Sequence, residues 1–291
     1  MNHSKTRILC LSDLHIGRSP ERSQGAIHLV QKILEAFGGQ VVKPLLLFTG
    51  DITDDGNEGQ CLQAQAILQP LRAAGFSLEF VPGNHDYGWN GNLASSTSYQ
   101  LFQKHILQNP DLAYPRLVQV GRHFILLLDS MQAENHWYDA LLADGELGDS
   151  QRKIFEKHLI FLQGLRSTGA KVLVALHHHP FLYPDESLVY HLKNVLGHEL
   201  KDGEEFMNLV IGKIDALVFG HEHRHIHFGE HLRQFRIPEK YQIPLLLSCG
   251  SSSGIDDPNP MPGIAQGLHA WLIEIEEKGN GQITATPWGQ E

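Results

Sequence analysis

Five short polar clusters carry side chains that could bind metal ions or move protons. They are Asp13-Leu14-His15, Gly50-Asp51, Gly83-Asn84-His85-Asp86, His177-His178-His179-Pro180 and Gly220-His221-Glu222-His223. Their donors are carboxylate oxygen, amide oxygen and imidazole nitrogen, without thiolate. That set suits divalent ions such as Mn, Fe, Zn, Co or Mg. In Asp13-x-His15 and His221-x-His223 the paired side chains lie two residues apart in an extended segment, so both point the same way and can face a common centre. Each cluster alone has an ordinary explanation: Asp is a favoured helix cap and Gly-Asn favours a turn. Five together, each behind an apolar run, are not explained that way.

Those apolar runs read as strands: Ile8 to Leu11, Leu45 to Phe48, Leu78 to Val81, Val172 to Leu176 and Ala216 to Phe219. Between them the spacing predicts helices over roughly Glu21 to Phe37, Cys61 to Ala74, Ser98 to Leu107, Ser150 to Arg166 and Phe206 to Ile214. Leu117 to Val120 and Phe124 to Leu128 flank Gly121-Arg122 as a hairpin. Leu245 to Ser248, His269 to Ile275 and Ile283 to Thr286 make a β-rich end. Continuous apolar strands alternating with amphipathic helices imply a layered α/β architecture, with the β-rich end forming part of a second sheet. The crevice beyond the carboxyl ends of such strands is where α/β sheets bind ligands. All five clusters therefore converge on one region.

Composition narrows the partners. The chain has 291 residues, 42% hydrophobic and 19% charged, and no repeat or linker divides it. Residues 1–291 are thus expected to form a single domain. A net charge of −10 disfavours nucleic acid and anionic lipid as partners. Cys10, Cys61 and Cys249 are far apart and odd in number, which fits a reducing compartment. The segment Met1 to Arg7 runs straight into a strand without the apolar stretch of a signal peptide, and no apolar run reaches ~18 residues. A cytoplasmic protein that does not enter the membrane is expected. On oligomeric state the sequence is silent.

The order D-x-H, G-D, G-N-H-D, a His before a short loop, then G-H-x-H resembles the calcineurin-like metallophosphoesterases over about Ile8 to His223. It is most similar to the bacterial cyclic-nucleotide and glycerophosphodiester phosphodiesterases. The resemblance implies an αββα sandwich of two mixed β-sheets flanked by helices. It also implies two divalent metal ions (Mn, Fe, Zn or a mixed pair, with Co and Mg as further choices). Asp13, His15 and His223 would hold one, and Asn84, His178 and His221 the other, with Asp51 bridging. His178 is selected from its run because relatives place the ligand two residues before the proline. His177 would then complete the strand, and His179 would face away or support a ligand. The implied reaction is attack of a metal-bridging hydroxide on a small organophosphate diester, releasing a phosphate product. His85 would protonate the leaving group and Asp86 would fix the His85 tautomer.

Other residues carry weaker signals. Tyr87 and Trp89 read as packing before substrate stacking, and Gly250-Ser251-Ser252-Ser253-Gly254 as a tight turn before a phosphate cradle. His225 and His227 continue the alternation after His223 and read mainly as exposed strand or turn. The connection Phe181 to Glu205 is a candidate lid. A phosphomonoesterase is the alternative reading within the same site. A metal-bound scaffold without catalysis is the contrasting class, and such a protein should have lost a ligand or His85. Neither loss is present.

Overall fold

The computed structural model describes residues 5–89, 93–132, 144–183, 200–254, 268–277 and 281–289. Its strands are β1 (Lys5–Leu11), β2 (Leu45–Thr49), β3 (Leu78–Val81), a short ribbon of β4 (Gly88–Trp89) and β5 (Leu93–Ala94), β6 (Arg116–Val120), β7 (His123–Leu127), β8 (Val172–Ala175), β9 (Ala216–Phe219), β10 (Ile226–His227), β11 (Leu245–Ser248), β12 (Ala270–Glu276) and β13 (Ile283–Trp288). One sheet has the order β13-β12-β1-β2-β3 and another β10-β11-β9-β8-β7-β6. In the first, β1, β2 and β3 run parallel, with β12 and β13 antiparallel on the edge. In the second, β7, β8, β9 and β11 run parallel between antiparallel β6 and β10.

Strand alternation builds the layers. Ile8 and Cys10 of β1 pack between the sheets with Leu47, Ile125, Leu173, Val218 and Leu247. Leu9 and Leu11 point the other way, against Leu29 and Ile33 of helix α1 (Pro20–Phe37) and Leu68 of helix α2 (Glu58–Ala73). On the far side, Val174 and Leu217 pack with Phe155 and Leu159 of a helix over Gly148–Arg166 and Phe206 of one over Gly203–Val210. The result is the four-layered sandwich of two mixed sheets flanked by helices. Caps set the helix starts: Ser19 Oγ accepts from Arg22 N ahead of Pro20, and Asn57 Oδ1 from Gln60 N.

Three segments differ from expectation. The polar turn after β3 is a helical turn, Asn84–Tyr87. The stretch from Ser96 to Leu107 changes from α to π geometry at Phe102. The helix expected to Ile214 stops at Val210, where Ile211 leaves helical backbone. Most of the candidate lid, 184–199, lies outside the described residues. No described helix is long and apolar enough to cross a membrane.

Candidate metal centre

Every parallel strand of both sheets ends at the same place, and the five clusters sit on those ends. The turns they need are sharp. Asp13, His15, Asp51, His221 and His223 all adopt positive φ, between +45° and +78°. Gly50 has φ +101°, and a Cβ there would overlap the His177 ring, so glycine is required for both reasons.

The donors fall into two groups that share Asp51. On one side His15 Nε2 lies 2.9 Å from His223 Nε2, His223 Nε2 3.5 Å from Asp13 Oδ1, and His15 Nε2 3.6 Å from Asp51 Oδ2. On the other, His177 Nε2 lies 3.1 Å from Asn84 Oδ1 and 3.3 Å from Asp51 Oδ2, and His221 Nδ1 is 3.2 Å from each of His177 Nε2 and Asn84 Oδ1. Imidazole nitrogens facing each other at this range are poor company unless a cation stands among them. Two of these rings have their outer nitrogens engaged: His177 Nδ1 donates to Thr49 O at 2.7 Å, and His15 Nδ1 meets Asp54 Oδ1 at 3.1 Å. Such bonds set the tautomer that turns a lone pair inward, as metal-bound histidines require. The residues present thus fit divalent ions, and the buried cysteines take no part in the donor groups.

The structure places His177, not His178, among the donors. His178 Nδ1 is 2.7 Å from Ser130 Oγ, and its ring leans on that of His221 at 4.4 Å. Because β8 ends at Ala175, the residue that turns towards the other sheet is His177, three before the proline. His179 is buried against Tyr183, ring centroids 5.3 Å apart.

Asp86 does not reach His85 as expected. Its carboxylate accepts from Ile52 N, Thr53 N, Thr53 Oγ1 and Gly83 N, tying the loop after β2 to the loop after β3. His85 instead donates from Nδ1 to Asp54 O at 2.7 Å, with the Asp54 carboxylate 3.6 Å away. Asp54 therefore touches both His15 and His85. The backbone N–H of His85 donates to Asp51 Oδ1 at 3.0 Å.

Further side chains at this end carried no motif. Asp129, after β7, accepts from Tyr87 Oη at 2.5 Å and from Met131 N. Tyr87 stacks on Tyr99 at 4.7 Å, so it packs, while the Trp89 side chain lies outside the described residues. The Ser251–Ser253 turn is buried and bonded to the loop of Asp13. His225 is neither exposed nor turned to the donors: it stacks on Trp271 at 4.1 Å.

Electrostatics follow from burial and crowding. Burial alone would raise the Asp51 carboxyl, but His177, His85 and His15 around it hold it well below the usual range. Asp13, buried and beside Asp51, is pushed up to about 7. Burial lowers His15, His221 and His223. Burial would also lower His177, but the Asp51 charge outweighs it and raises the ring to about 9. A cation bound here must displace that proton.

The sequence profile described as calcineurin-like phosphoesterase matches residues 6–225. A relative from Moraxella catarrhalis named "Probable cyclic nucleotide phosphodiesterase" is 26% identical over 262 residues, covering 86% of this chain and 80% of its own. A similarly named protein from Coxiella burnetii is 24% identical over 226 residues, covering 77% and 78%. Among solved structures, a dimetal phosphatase from Danio rerio superposes with TM-score 0.61 at 12% identity over 98% of this chain and 99% of that one. A purple acid phosphatase from yellow lupin gives 0.60 at 12% over 99% of this chain, which spans about half (52%) of the lupin protein. These two likenesses are of fold.

Proposed function

Because the chain belongs to the calcineurin-like phosphoesterase family, whose members are phosphoric ester hydrolases, we propose that it is a dinuclear-metal phosphodiesterase acting on a small diester, a cyclic nucleotide or a glycerophosphodiester. The observation that carries the reading is two donor groups, Asp13-His15-His223 and Asp51-His177-His221, joined where His15 Nε2 lies 3.6 Å from Asp51 Oδ2. The names of the relatives from Moraxella and Coxiella favour the cyclic nucleotide.

In this reading Asp13, His15 and His223 hold one ion and Asn84, His177 and His221 the other, with Asp51 common to both. His177 replaces the His178 of the sequence argument. When bound, the two ions neutralise the phosphate and lower the pKa of water from 15.7 towards ~7. The protein's own groups do the rest. Thr49 O and the Asp54 carboxylate fix His177 and His15 in their ligating tautomers. His85 protonates the departing ester oxygen from Nε2, which requires a doubly protonated ring whose Nδ1–H stays on Asp54 O. One P–O bond forms to water and one breaks to the alcohol, leaving a phosphate monoester. Asp86 then acts on geometry alone, by keeping the loops of Asp51 and His85 together.

The segment Phe181 to Glu205 remains the proposed lid, because the described residues at its two ends are fastened beside the site. Leu200 N donates to His179 O, and Lys201 N to Gly145 O.

The test is hydrolysis of bis(p-nitrophenyl) phosphate beside p-nitrophenyl phosphate by EDTA-stripped protein resupplied with Mn²⁺, followed by 3′,5′-cyclic AMP. Metal-restored diester turnover is the expected result. Cleavage of the monoester alone would replace the diesterase with a monoesterase on the same site. Absence of both in protein holding two ions would favour the scaffold.

A further inference from the structure

The loop of Asp13 is held from behind by a buried cation. Arg22, in the first turn of α1, is 4% exposed, and its Nη1 donates to Ser251 Oγ at 2.5 Å and to Ser253 Oγ at 2.9 Å. Ser251 Oγ donates onward to Asp13 O at 2.9 Å. Ser252 closes a second link: its N–H donates to Ser12 O at 2.9 Å, and its Oγ accepts from Ser12 N at 3.0 Å. The helix approaches so closely that a Cβ on Gly25 would overlap Ser253 O.

The direction of these bonds is forced by chemistry. Guanidinium only donates, so a serine that accepts from Arg22 must point its single proton elsewhere. For Ser251 the acceptors in reach are the Asp13 carbonyl at 2.9 Å and Ser253 Oγ at 3.1 Å, and the shorter bond is to the carbonyl. Asp13 has φ +53°, the left-handed region that a residue with a Cβ adopts only when its surroundings hold it there. Its amide is held by Gly50 O at 3.1 Å and its carbonyl by Ser251.

We propose that Arg22 is a positioning residue for the ion held by Asp13, His15 and His223: it orients Ser251 and thereby keeps Asp13 in its left-handed, ligating conformation. The inference rests on the dinuclear reading above. It assigns the Ser251–Ser253 turn to the support of the metal loop, not to phosphate.

Calorimetric titration of the full EDTA-stripped chain with Mn²⁺ tests it. The wild type should show two steps, and His223→Ala identifies which belongs to the Asp13 side. Arg22→Met should weaken that step by about 10–100-fold, the range for groups that orient ligands, and leave the other unchanged. Ser251→Ala, a far smaller deletion, should weaken the same step, and Arg22→Lys should recover part of the loss. The proposal is overturned if Ser251→Ala titrates as the wild type does. It is equally overturned if both steps of Arg22→Met weaken together with a fall in the melting temperature of the stripped protein. Failure of the dinuclear reading would be visible earlier and separately, as a wild type that takes up fewer than two ions.

Discussion

The two halves of the centre are held differently. In the half with Asn84, His177 and His221, the His177 side chain is 0% exposed and that of Asp51 2%, while His221 is half-buried. Its orientation comes from the ends of β2, β3, β8 and β9, with a backbone carbonyl, Thr49 O, fixing the ring. The half with Asp13, His15 and His223 is buried to the same degree, with Asp13 0%, His15 1% and His223 14% exposed. There side chains hold two of the donors: Asp54 Oδ1 meets His15, and Ser251 Oγ donates to the Asp13 carbonyl. A site fixed by backbone can be weakened only at its ligands, whereas one fixed by side chains can be weakened from several residues away.

Substitution in the half held by backbone should have the largest effect and break the comparison most directly. His177→Ala is expected to abolish Mn²⁺-dependent diester turnover, while His178→Ala stays within about tenfold of wild type, as suits a residue beside a ligand. The opposite ranking would return the ligand role to His178. Next comes His85→Ala, expected to cost about 10²–10⁴-fold in kcat with two ions still bound, the usual range for a lost proton donor. Loss of an ion in that variant would make His85 a ligand.

Asp54→Asn sharpens the contrast between halves. Turnover and affinity at the Asp13 side should fall by about 10–100-fold, with the His177 side unchanged in the same titration. Asp86→Asn should lower the melting temperature, because its carboxylate joins two loops through four hydrogen bonds.

The smallest effect on turnover is expected at Asp129, whose carboxyl burial pushes up to about 6. A raised carboxyl favours the folded state when protonated. Its contribution is complete below about pH 4 and is lost as pH rises through about 6. Relative to wild type, Asp129→Asn should therefore gain stability between pH 4 and pH 7, by up to about 3 kcal/mol. Parallel melting curves across that range would refute the assignment.

How far the sequence could be read follows from the same division. Strand ends were legible because continuous apolar runs stop where a polar ligand begins, as at Leu11, Thr49 and Phe219. The choice within His177–His179 was not, because it depends on the residue at which β8 ends, and a shift of one place reverses every side chain. Asp54, and not Asp86, meets His85 for a related reason. Asp54 lies in a loop and Asp86 in a helical turn, and their partners across the site are 31 to 39 residues away in the chain, where no period links them. Asp129 and Ser130 follow a strand like the other groups but form no recognisable pair. The serine turn was visible as a motif, and its partner Arg22 lies 229 residues away from Ser251.

The five positive-φ positions have a consequence for how such a chain can change over generations. Asp13, His15, Asp51, His221 and His223 stand where the backbone alone would choose glycine or asparagine. Selection for hydrolysis and selection for an unstrained chain therefore pull these positions in opposite directions. A descendant that abandoned the chemistry would drift towards glycine there first, leaving its sheets intact and its lost activity recorded at five known addresses.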